Sequence, residues 1–111
     1  MKVLITGITG FVGSHLAELM LSEGYDVFGT ARWRSKTENI DHISQDIHLI
    51  NADIRDGYSM TSAFRDIMPD YCVHLAAQSF VLESWKSPLE TMSTNVLGTV
   101  NVLEAAKLAS D

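Results

Sequence analysis

The sequence predicts an α/β fold: a doubly wound parallel sheet with strand order 3-2-1-4, cut off after its fourth strand and the helix that follows. Three observations carry that expectation. Short apolar runs alternate with helical patterns in the order β-α-β-loop-β-α-β-α, which calls for a parallel sheet covered by helices, joined by right-handed crossovers. The first run, "KVLI", leads directly into three glycines set three apart, Gly7, Gly10 and Gly13. The last stretch is one long helical pattern with apolar residues on more than one face.

The elements follow in order. "KVLIT" (2–6) reads as a buried parallel strand ending at a glycine. From Phe11 to Glu23 the apolar residues Val12, Leu16, Leu19 and Met20 fall at helical spacings, and Gly24 is placed to stop the helix. "YDVFGT" (25–30) is the second strand, and residues 31–45 are a polar loop with room for one helical turn. "DIHLINADI" (46–54) is the third strand, "SMTSAFRDIM" (59–68) a short helix ended by Pro69, and "YCVHLAA" (71–77) the fourth strand. Ser87-Pro88-Leu89-Glu90 reads as a capping box with proline at the first helical position. The helix it opens carries two stripes: Leu89, Met92, Val96, Val100 and Leu103, then Val102, Ala105, Ala106 and Ala109. With apolar residues on more than one face, the helix needs a neighbour besides its own sheet.

Composition narrows the function. The 111 residues suit one domain, and 46% apolar with 20% charged residues is ordinary for a globular chain. A net charge of −6 without a basic stripe speaks against nucleic acid, so any phosphate site is local. No window holds the roughly 20 apolar residues of a membrane span, and no leader-like stretch follows Met1, so a cytoplasmic location without membrane contact is expected. The single cysteine, Cys72, reads as a small buried residue. His15, His42, His48 and His74 lack the spacing of a metal site; His74, inside a strand, reads as a hydrogen-bonded core residue.

The glycines point to a dinucleotide. Gly7 allows a tight turn off the strand, Gly10 lets backbone N–H groups approach a pyrophosphate, and Gly13 lets the helix pack close. Around them Thr9, Phe11 and Val12 complete the turn and the helix N-terminus, whose unpaired N–H groups and positive dipole end attract an anion. This is the pattern of a Rossmann-type domain. Sheets of this kind that hold NAD usually carry a carboxylate about 20 residues past the glycines, for the ribose 2′-hydroxyl. Here "FGTARWRS" has no Asp or Glu between Val27 and Lys36 but has Arg32 and Arg34, which suits a 2′-phosphate and favours NADP over NAD. The alternative is that both are ordinary loop arginines. Trp33 is the one aromatic placed to cover an adenine, and Asp53, after the third strand, is placed to accept from the adenine amino group; alone, it would be a solvated loop aspartate.

"TGITGFVGSHLAE", "NADI", "HLAAQS" and "TNVLGTVNVLEAA" together resemble the extended short-chain dehydrogenase/reductase family of nucleotide-sugar epimerases and dehydratases, over essentially the whole chain. "GITG", "RWRS" and "AAQSFV" with a nearby "SW" look most like its GDP-mannose 4,6-dehydratase and GDP-4-keto-6-deoxymannose reductase branches. The resemblance implies that Asp53 and Ile54 bracket the adenine, that Leu75, Ala76 and Ala77 lie against the cofactor ribose, and that Gln78 and Ser79 turn toward nicotinamide and sugar. It also implies that Asn95 supports the active-site structure, that the substrate is a nucleotide sugar, and that the long helix joins a four-helix dimer interface.

The family's base is the tyrosine of a Tyr-x-x-x-Lys motif, whose lysine lowers the tyrosine pKa. Four residues beyond Tyr25, Tyr58 and Tyr71 stand Gly29, Ser62 and Leu75, so these residues hold no such motif. Residues 1–111 are therefore expected to be the N-terminal dinucleotide-binding part, without the Tyr/Lys segment or a substrate domain, and not to catalyse the reaction alone. A stand-alone dinucleotide-binding module and an interaction domain that has lost its ligand are the readings from other classes. An unpaired edge on the fourth strand and an uncovered helix stripe predict self-association.

Overall fold

The computed structural model describes residues 1–77 and 85–110. Val3, Leu4 and Ile5 are wholly buried in the middle of β1 (Lys2–Thr6). β1 pairs in parallel with β2 (Asp26–Ala31) on one side and β4 (Tyr71–His74) on the other, and β3 (His48–Asn51) lies outside β2. The strand order is β3-β2-β1-β4, as expected. In register, Ile5 sits between Gly29 and Val73.

Alternation along β1 sends side chains into two cores. Val3 and Ile5 pack with Val27, with Ala17 of α1 (Phe11–Ser22) and with Ile40 and Ile43 of a 3-10 helix (Glu38–Ile43). Leu4 packs with Met60, Phe64 and Ile67 of α2 (Gly57–Ile67) and with Val102 and Ala105 near the end of the chain. A strand covered on both faces needs apolar residues at consecutive positions, the reason "VLI" does not alternate. Each of these fully buried aliphatic side chains contributes about 1.5–3 kcal/mol.

Backbone chemistry sets the helix ends. α1 closes with Tyr25 N–H donating to Met20 O and Gly24 N–H to Leu21 O, a paired closure that requires the left-handed conformation of Gly24, φ +85°. α2 starts two residues before the expected position 59 because the Asp56 carboxylate caps it, accepting from the backbone N–H groups of Tyr58 and Ser59.

Four expectations need correction. β3 does not span 46–54: Ile47 is drawn into the core under the 3-10 helix, and the chain leaves the sheet after Asn51. β4 stops at His74; the Leu75 N–H still donates to the Thr6 carbonyl at 3.1 Å, and no strand pairing continues through Ala76 and Ala77. The capping box is not formed; Ser87 makes no side-chain capping bond, and Glu90 faces Arg55 at 3.8 Å instead. Nor is the last helix regular: α3 (Pro88–Met92) passes through a π-helical turn (Ser93–Leu97) into α4 (Gly98–Ser110). From the first turn of α4 the Thr99 hydroxyl donates back to the Asn95 carbonyl in the π-helical turn, a back-bond of the kind that bends helices.

The two stripes of the last helix meet different surroundings. Val102 and Ala105 are buried against α2, and Asn101 Nδ2 ties α4 to the Ile54 carbonyl. Leu89, Met92, Val96, Val100 and Leu103 stay exposed, Leu89 by 84%. β4 is an edge strand of the described sheet. Cys72 is half-buried beside the α2 core, where burial pushes its thiol up to about 11 and keeps it protonated and unreactive at neutral pH.

Candidate functional site

The site begins where β1 ends. Gly7 turns the chain with φ +72° and donates its N–H to Thr30 O at 3.2 Å. A Cβ there would lie 2.8 Å from Ala76 N, so the turn and the end of β4 meet backbone to backbone. At Gly13 a Cβ would lie 2.2 Å from Gly7 O, which lets α1 press onto the turn. Gly10 differs from both: a Cβ there would meet only Gly7 O, at 3.4 Å, so the fold itself has little need of glycine at that position.

Gly10 caps α1 without a side-chain bond, and no acidic residue occupies the first turn. The N–H groups of Phe11, Val12 and Gly13 therefore have no helical acceptor and form a locally positive end. The exposed side chains of Phe11 and Val12 do not line the cleft described next; any part they play runs through their backbone. Asn39 Nδ2, from the 3-10 helix, holds the turn through the Thr9 carbonyl at 3.0 Å.

A cleft of about 250 Å³ runs along the carboxyl ends of the strands. Gly7, Thr9 and Gly10 line it from the glycine turn, Thr30, Ala31 and Arg32 from the end of β2 and the residue after it, and Ala52, Asp53 and Ile54 from the segment that follows β3. Leu75, Ala76 and Ala77 form the wall beyond β4, and Glu90 and Thr94 reach it from the last helix. Past Arg32 a second recess of about 350 Å³ is lined by Trp33, Arg34, Arg55 and Ser59.

Charge in this region is organised around Asp53. Arg55 Nη2 lies 2.7 Å from its Oδ2, and the Arg55 backbone N–H donates to Oδ1 at 2.9 Å. The Arg55 side-chain hydrogen bonds hold the Asp53 carboxyl below its usual value against the opposing effect of burial, and Arg32 adds a smaller pull in the same direction. Asp53 is thus an ionised, oriented acceptor at the cleft wall rather than a solvated loop residue. Arg34 stands at φ +66° with its guanidinium 4.4 Å above the Trp33 ring, so one face of that exposed indole is already occupied by a cation.

The fold gathers Gly7, Thr9, Gly10, Arg32, Asp53, Ile54, Leu75, Ala76 and Ala77 into the cleft and Arg34 into the recess. Gly13 is structural support beneath the turn, and Asn95 lies in the π-helical turn next to Thr94, not on the cleft lining. Gln78 and Ser79 lie outside the described residues. Sequence reasoning missed Arg55, Ser35, Thr30, Ala31, Ala52, Glu90 and Thr94. For Arg55 a signal existed, its place two residues past Asp53, just beyond a strand end beside the arginine-bearing end of β2.

Parallel strands in this order, with an open cleft at their carboxyl ends and a glycine turn at its base, place the protein among the Rossmann-type nucleotide-binding domains. A family model described as GDP-mannose 4,6 dehydratase matches residues 4–111, and the chain belongs to that family. It is 41% identical to a GDP-mannose 4,6-dehydratase of Vibrio cholerae over 96% of this chain and 31% of the relative. It is 39% identical to a CDP-paratose 2-epimerase of Salmonella typhi over 96% of this chain and 33% of that one. Among solved structures, the UDP-glucose 4-epimerase of Thermus thermophilus in complex with NAD superimposes with a TM-score of 0.90 at 34% identity, covering 99% of this chain and 35% of the other. The chain spans about a third of the length of these relatives.

Proposed function

We propose that residues 1–111 are the NADP-binding part of a nucleotide-sugar 4,6-dehydratase acting on GDP-mannose. The observation that carries the cofactor half is the end of β2: Arg32 borders both cleft and recess, Arg34 lines the recess, and no carboxylate replaces them on that strand end. Guanidinium groups there suit a 2′-phosphate, which they bind through paired, charge-assisted hydrogen bonds. The protein's own geometry fits the rest of the dinucleotide. Gly10 leaves open the space a side chain would take, and the free N–H groups of α1 suit a pyrophosphate. Asp53, held by Arg55, is ready to accept from an adenine amino group, and the Leu75–Ala77 backbone forms a wall for the ribose. When bound, the cofactor would accept a hydride from C4 of the hexose and return it to C6 after water leaves C5–C6. Asn95 would act as a support for the active site, through the π-helical turn it sits in.

The relative solved with NAD makes the choice between the two nicotinamide dinucleotides the point to test. Calorimetric titration of the chain with each at low salt should give at least tenfold tighter binding of NADP⁺. Equal affinity, or preference for NAD⁺, would overturn the arginine reading.

The partner of this module is a second copy of itself. The exposed stripe Leu89, Met92, Val96, Val100 and Leu103 on the last helix supports that reading, since among the described residues it leaves apolar surface in contact with water. Sedimentation should show a mass above the 12.3 kDa monomer that grows with concentration, and Val100→Glu with Leu103→Glu should move it back toward monomer. A monomer at every concentration counts against this.

A further inference from the structure

His74, at the end of β4, lies between two hydroxyls. Its Nδ1 is 2.6 Å from Thr6 Oγ1, and its Nε2 is 3.2 Å from Thr99 Oγ1. The hydrogens can be assigned by elimination. Thr6 Oγ1 already accepts from the backbone N–H of Leu75 at 3.0 Å and of Ala76 at 3.1 Å, which uses both of its lone pairs. Its own hydrogen is then available only to His74, so Nδ1 is the acceptor. At the other end the Thr99 hydrogen goes to the Asn95 carbonyl at 2.7 Å, so Nε2 must carry a proton and donate. Both ends select one form: neutral imidazole, protonated on Nε2.

We infer that His74 is a positioning residue for the cleft: in this form it turns the Thr6 hydroxyl so that its lone pairs hold the Leu75 and Ala76 amides, and protonation of the ring releases them. The Leu75 N–H has a second acceptor in the Thr6 carbonyl at 3.1 Å, which leaves Ala76 as the residue most dependent on the hydroxyl. Ala76 is also the residue that a Gly7 Cβ would strike, so its placement controls the contact between the glycine turn and the far wall of the cleft. An imidazolium donates from both nitrogens. Nδ1–H would then need Thr6 Oγ1 as its acceptor, in competition with the two amides. The groups facing the ring from β1 and the last helix are hydroxyls, and burial alone accounts for the lowering of the His74 pKa, with no charge contributing. The group is thus neutral at pH 7, and acid works against the folded arrangement: below about 6.5 the unfolded chain binds the proton more readily, so stability falls as pH falls through that range.

The consequence for ligand rests on the dinucleotide reading above, and the test separates the two. In the ¹⁵N-labelled chain, the His74 ring nitrogens at pH 8 should show a protonated Nε2 and a bare Nδ1. On acidification the Leu75 and Ala76 amide resonances should move with the His74 midpoint, and NADP⁺ affinity should drop about tenfold with the same midpoint. His74→Asn, whose carbonyl can still accept from Thr6, should keep those amides pH-independent and remove the tenfold drop, while any loss owed to the ligand's own phosphate persists. A proton on Nδ1 at pH 8, or amides that ignore the His74 titration, overturns the relay. A chain that binds neither NADP⁺ nor NAD⁺ at pH 8 overturns the functional reading instead, and the ring nitrogens and two amides still decide the relay.

Discussion

Gly13→Ala is expected to destabilise the fold by about 3 kcal/mol or more, lowering the melting temperature by roughly 12 °C or more in calorimetry or circular dichroism. A methyl at that position would sit 2.2 Å from the Gly7 carbonyl oxygen and 2.9 Å from Ile8 Cα. Both are backbone atoms. Relief would require lifting α1 off the turn, against Ala17, Ile8 and the aliphatic core beneath them. With total stability of about 5–15 kcal/mol for a domain, such a cost is a large fraction of the whole. Gly10→Ala is the informative partner. Its methyl meets only the Gly7 oxygen at 3.4 Å, and the exchange of a glycine cap for alanine should cost no more than about 1 kcal/mol. Its NADP⁺ binding should nevertheless fall by tenfold or more, because the methyl projects where a pyrophosphate has to approach. Equal melting behaviour for the two variants would contradict the division of labour among the glycines.

Arg32→Ala combined with Arg34→Ala should weaken NADP⁺ by about a hundredfold and NAD⁺ by less than about threefold. A hydrogen bond to a charged group contributes about 1.5–3 kcal/mol, and a hundredfold corresponds to about 2.7 kcal/mol, less than two such bonds in a dry site because solvent enters the recess. Arg34 is the better preorganised of the two, with its guanidinium against Trp33. Arg34→Lys should recover charge but not the fork geometry, and therefore only part of the affinity. Parallel loss of both cofactors would mean that the arginines act on the common pyrophosphate or on the fold. Asp53→Asn is a useful contrast: it removes the partner of Arg55 and should affect both dinucleotides alike.

The strand order and the layers were legible because they follow from patterns a few residues long. Continuous apolar runs mark strands buried on both faces, the glycine triplet marks the turn, and Gly24 marks the end of α1. Ends set by competition between neighbours were not legible. β3 is shorter than its apolar run because Ile47 is claimed by the core beneath the 3-10 helix, and Ser87 and Glu90 do not pair because Arg55, far away in sequence, draws Glu90 toward the cleft. The π-helical turn at Asn95 has no sequence signal of its own.

The site shows the same division. Gly7, Gly10 and Gly13 act through local backbone geometry, and Arg32 and Arg34 lie at a strand end that periodicity already locates, so the sequence by itself determined the fold class and the electrostatic character of the β2 end of the cleft. The glycine spacing also assigned Gly13 to packing and Gly10 to the cleft, and the Cβ distances agree; only the tertiary structure decided that Arg55 orients Asp53 and that Thr6 and Thr99 fix the proton on His74. The physical reason is range: turn and strand preferences arise from interactions within a few residues, whereas an ion pair, a backbone contact or a hydroxyl's last free hydrogen depends on which distant segment the fold brings into contact.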